Sequence, residues 1–76
     1  MNDKKRNIIK RALCLITQAE ALVEQVLDEE QDNLDNMPEN LADSGRVQKM
    51  EDAVDNLETA MDSIDTAKEN LEQAIV

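Results

Sequence analysis

Phenylalanine, tyrosine, tryptophan and histidine are missing altogether from this chain, and cysteine, proline and glycine occur once each among its 76 residues. Each absence excludes something. Without aromatic rings there is no platform for stacking bases, so a nucleotide pocket would have to be built from Arg, Met and aliphatic side chains. Without histidine, and with Cys14 alone, neither a Cys/His zinc site nor the usual general acid/base residue is available. A single cysteine makes no disulfide framework and suits a reducing compartment. Asn7, Arg11, Gln18 and Gln25 share the helical stripe of Cys14, which places the thiol on the flank of an apolar face, and Arg11 is the one neighbour that favours a thiolate. No apolar run approaches the ~18 residues of a membrane span. The basic start at Lys4, Lys5 and Arg6 is not followed by a signal core and cleavage site. A soluble, cytoplasmic protein with no membrane contact is expected.

Positive charge is also scarce, at eight Lys and Arg against eighteen Asp and Glu, for a net charge of −10. It is unevenly placed. Residues 1–19 hold five basic groups and one acid, whereas residues 20–76 hold three and seventeen. This polarity argues against direct nucleic-acid binding and for a basic partner or self-complementary assembly. An RNA-binding hairpin would need a basic helix face, and Lys4, Lys5, Arg6, Lys10 and Arg11 offer one at a single end only.

What the chain does have is a heptad. MEDAVDN (50–56), LETAMDS (57–63), IDTAKEN (64–70) and LEQAIV (71–76) are copies of one block, so this segment is a helix made to pack lengthwise on others. With Val54, Met61, Lys68 and Ile75 at a and Met50, Leu57, Ile64 and Leu71 at d, Ala53, Ala60, Ala67 and Ala74 fall at g, where small residues admit a close neighbour. Lys68 breaks the seam; it either snorkels to an acid such as Glu20 or Glu72 or fixes register and oligomer number. The first segment carries two adjacent stripes. One is Ile8, Ala12, Leu15, Ala19, Leu22 and Val26; the other is Ile9, Leu13, Ile16, Val23 and Leu27. Together they form a face wider than one partner helix covers.

The only proline and glycine lie between these segments. Pro38 disfavours helix at Met37 and suits the first position of a short turn, Pro38 to Ala42, after which Asp43 or Ser44 can cap the second helix. The expected fold is all-α: one domain, 1–76, with helix 1 at about 3–35, a turn at 36–45 and helix 2 at about 46–75. Two such helices, each on the order of 45 Å long, form an antiparallel hairpin. That pairing sets the basic head beside Asp65, Glu69 and Glu72. A chain this short buries only about 60% of its unfolded surface. Burying the second stripe of helix 1 calls for association into a four-helix or larger coiled-coil-like bundle, most simply a homodimer.

Four candidate chemistries follow. Glu51, Asp55, Glu58, Asp62, Asp65, Glu69 and Glu72 recur at alternating spacings of four and three and form one carboxylate edge. Its repeat of about 5 Å is close enough to that of strand phosphates to compete for a basic protein groove, while the plain alternative is a solvated face. The near-absence of interleaved lysine favours the functional reading. At the turn, Ser44, Gly45 and Arg46 combine free N–H groups, a hydroxyl and a guanidinium that could hold a phosphate, against plain capping with Arg46 paired to Asp35, Glu39 or Asp43. Asp28, Glu30, Asp32 and Glu39 fit positions 1, 3, 5 and 12 of a calcium loop, but Asn33 stands where the sixth-position glycine belongs and the run lies in a helical pattern. Paired carboxylates on a narrow hairpin stay solvated, so neither catalysis nor a cofactor is expected.

The segments DEEQ (28–31), DNMPENL (35–41), SGR (44–46) and KMEDAVDNLETA (49–60) resemble a group of small acidic helical proteins encoded by bacteriophages and mobile elements of Gram-positive bacteria. The resemblance implies a phage-type accessory protein working in the host cytoplasm, often a counter-defence factor that occupies a host protein or soaks up a signalling nucleotide. The expected function is thus a non-enzymatic inhibitor that presents the acidic edge to a basic host protein. The alternatives are an oligomeric nucleotide sponge using Ser44 and Arg46, with Met37 or Leu41 covering a base, and a purely structural hairpin.

Overall fold

The computed structural model describes residues 1–41 and 45–76. Helix α1 runs Asp3–Asp35, a 3-10 turn occupies Glu39–Leu41, and helix α2 runs Gly45–Ala74. The two long helices pack side by side as a hairpin about 59 Å long and 15 Å across. Among the described residues there is no strand.

Helix α1 begins where Asn2 stands in extended conformation and its Oδ1 accepts the Lys5 N–H at 2.8 Å, satisfying one of the first-turn donors. Asp3 places an acid in that turn and pairs with Arg6 at 3.2 Å. At the other end the Asn36 backbone N–H and side-chain amide both donate to the Asp32 carbonyl, at 3.0 and 2.8 Å. Met37 N–H closes on Leu34 at 3.2 Å. Pro38 then prevents continuation, because it carries no N–H and its ring crowds the residue before it. The 3-10 turn lies inside the stretch expected to form one helical turn. Asp43 and Ser44, the expected caps of α2, lie outside the described residues. Gly45 is the first residue of α2 and has no left-handed φ.

The seam settles which stripe of α1 faces α2. Ile9, Leu13, Ile16, Val23, Leu27 and Leu34 are half-buried, and opposite them so are Val47, Met50, Leu57, Met61, Ile64, Leu71 and Ile75. Val54, 5% exposed, is the most deeply covered side chain. The other stripe stays in water: Ile8, Leu15, Leu22 and Val26 are 60, 55, 65 and 46% exposed. Glu20 fills the gap between Ile16 and Val23 in the packed stripe. There it accepts a hydrogen bond from Lys68 Nζ at 3.2 Å, both side chains being mostly covered. The seam-breaking lysine therefore reaches the acid on the facing helix.

Candidate functional site

A heptad fixes where the acidic edge can lie. In α2 the core positions are a and d; Glu51, Glu58, Asp65 and Glu72 are at e, and Asp55, Asp62 and Glu69 at b, which 3.6 residues per turn places together on one flank. All seven are exposed. None makes an ion pair with a described residue, and no polar side chain crosses to them from α1. The helix places them about 4.5 to 6 Å apart along its axis over three heptads. Asp52, one position outside this row, is exposed as well and accepts from Gln48 Nε2 at 2.9 Å. Thr59, between the acids, donates its hydroxyl proton back to the Asp55 carbonyl at 3.0 Å.

The basic head is not neutralised by this row. Lys68 stands opposite Glu20, so Glu72 is about level with Ile16, and Lys4, Lys5 and Arg6 lie on the order of 10 Å or more farther along α1. The expected pairing of the head with Asp65, Glu69 and Glu72 is replaced by Arg6 on Asp3 of its own helix, and among the described residues no basic group of the head reaches α2. The offset of the two helices is the cause.

Handedness adds what the sequence pattern left open. In an antiparallel pair the g positions of both helices fall on one side of the seam and the e positions on the other. The exposed stripe of α1 (positions c and g) and the alanines of α2 (g) thus share one side, and the acidic b and e positions take the opposite one. Ala53 and Ala60 are half-buried there, Ala67 and Ala74 exposed. Asn56, Ser63 and Asn70 complete that side without a charge. The sequence alone does not place the two sides, because either stripe of α1 could have packed.

The other candidates fare differently. Arg46 is exposed on the first turn of α2 and forms no ion pair with Asp35 or Glu39; Asp43 and Ser44 lie outside the described residues, so the phosphate cradle is represented by Gly45 and Arg46 alone. Asp28, Glu30 and Asp32 sit on continuous α-helix, where 100° per residue sets Asp28 and Asp32 on one face and Glu30 on the opposite one, and no three described acids gather as a metal would need. Cys14 is exposed, its Sγ 3.7 Å from Gln18 Nε2. No cavity opens among the described residues, and no helix there is long and apolar enough to cross a membrane. No family model matches the chain, and neither a curated protein nor a solved structure matches it.

Proposed function

We propose that this protein acts by binding and not by catalysis, presenting Glu51, Asp55, Glu58, Asp62, Asp65, Glu69 and Glu72 to a basic surface of another protein. The observation that carries the reading is that all seven carboxylates of the row are exposed while none forms an ion pair with a described residue, the nearby Lys68 being paired to Glu20 instead. A solvated face needs no such one-sidedness; ordinary surfaces intersperse both signs for solubility. A row of this kind steers a basic partner by long-range attraction and competes for the place of a nucleic-acid strand. The resemblance to phage-encoded acidic helical proteins suggests a host protein as partner and counter-defence inhibition as the role. The molecule self-associates, burying the exposed stripe of α1, since Ile8, Leu15 and Leu22 would each contribute about 1 to 2 kcal/mol on leaving water.

The test is a column bearing the protein, loaded with host extract. Basic proteins retained on it should elute with salt and be displaced by duplex DNA. The triple variant Asp55→Lys/Asp62→Lys/Glu69→Lys should lose them while keeping its helical circular dichroism. Retention of the same proteins by that variant removes the acidic edge from the account.

A further inference from the structure

The exposed stripe of α1 is a heptad seam in its own right. Lys5, Ile8, Ala12, Leu15, Ala19, Leu22, Val26 and Glu29 follow one another at spacings of three and four along positions g and c, and all but half-buried Ala12 are exposed. Its composition has a direction. It starts on a lysine, ends on a glutamate, and between them carries no charge.

We infer that this stripe packs against the same stripe of a second copy of the chain, antiparallel, about a twofold axis at the level of Thr17. Three independent matches support that register. The residue numbers of each facing pair sum to 34, so Ile8 meets Val26, Ala12 meets Leu22 and Leu15 meets Ala19 of the second copy. Large side chains face small ones in two of these layers, and the third joins two β-branched residues, so the layers stay similar in volume. Each pair joins a c with a g position, the alternation an antiparallel seam requires as a with d. At both ends Lys5 meets Glu29 of the second copy. Lys5, which finds no partner on its own α2, thus finds one on the other copy.

A parallel pair fails each test. It stacks Leu22 on Leu22 but Ala19 on Ala19, alternating crowding with voids, and it sets Lys5 on Lys5 and Glu29 on Glu29. Helix α2 does not obstruct the antiparallel pair: Ala67 and Ala74, which flank the level of the axis, are small and exposed on the same side. Within the hairpin Glu29 is held only by Gln25 Nε2 at 3.4 Å, and Lys5 has no ion pair among the described residues, so both can turn to a second copy.

The inference rests on the self-association read above, and one series of variants separates the two. Sedimentation equilibrium of the full chain at low ionic strength should give a mass of two chains. Lys5→Glu and Glu29→Lys, each placing like charges together at both ends, should weaken the dimer about tenfold in Kd, and the combined Lys5→Glu/Glu29→Lys chain should regain wild-type affinity. Leu22→Glu, at a site exposed in the hairpin, should abolish the dimer. A monomeric wild type overturns both the self-association and this geometry. A dimer indifferent to the single charge changes, or one the double change fails to rescue, overturns the antiparallel register and leaves self-association standing.

Discussion

Glu20 and Lys68 show how one residue decides the packing of two helices. Each interrupts an apolar seam, and each would be an uncompensated charge if its partner were removed; with side chains about 20% exposed, the pair is desolvated enough for that to cost. Lys68→Ala or Glu20→Ala should each lower hairpin stability by about 1 to 2 kcal/mol. Glu20→Leu/Lys68→Leu, by joining the apolar seam, should equal or exceed the parent. Urea unfolding of the four chains as a double-mutant cycle measures this, and a coupling energy near zero would show that the pair does not set register. The reach of Lys68 to an acid was legible from its place at an a position. Glu20 as that acid could have been singled out on the same ground, since it alone stands in the gap of an α1 stripe at mid-helix.

At the scale of the element, α2 was readable because its a and d positions are apolar in every block but for Lys68, leaving one face to pack. Helix α1 was not, because two stripes lie side by side with similar apolar content and periodicity cannot rank them. The polar match ranks them: the Ile9 stripe contains an acid to receive Lys68, and the Ile8 stripe has none between Lys5 and Glu29. The acidic edge followed from heptad position alone, whereas its side relative to the apolar stripe depended on that choice. The two stripes should respond differently to truncation. Leu13→Ala, in the packed stripe, should cost about 2 kcal/mol at any protein concentration; Leu15→Ala, 55% exposed in the hairpin, should cost little in dilute solution and more as concentration rises. Thermal melts over a hundredfold concentration range distinguish the two; a concentration-dependent cost at Leu13→Ala in place of Leu15→Ala would mean that the stripes have been assigned the wrong way round.

For the whole molecule, a slender hairpin carrying a net charge of −10 repels itself. Most of that charge lies on α2 and the second half of α1, where local concentration of like sign opposes the compact state. Raising sodium chloride from about 10 to 200 mM shortens the screening length from roughly 30 Å to below 10 Å. The melting temperature should rise by several degrees, followed by circular dichroism at low concentration. A fall would mean that attractive pairs outweigh the repulsion, contrary to the two ion pairs found among the described residues.

In the proposed dimer, the separation of charged side from apolar side would set the valency of the protein. A chain that joins its copy through one flank and keeps its carboxylates on the other has two identical rows, turned away from each other and running in opposite directions. Such a particle engages a single basic groove with only one row, but it can bridge two. A target that is itself a twofold dimer, or an array of identical subunits, would be held by both rows at once, with an avidity far above that of either contact. Against monomeric targets the same geometry makes a crosslinker, drawing two of them onto one small rod.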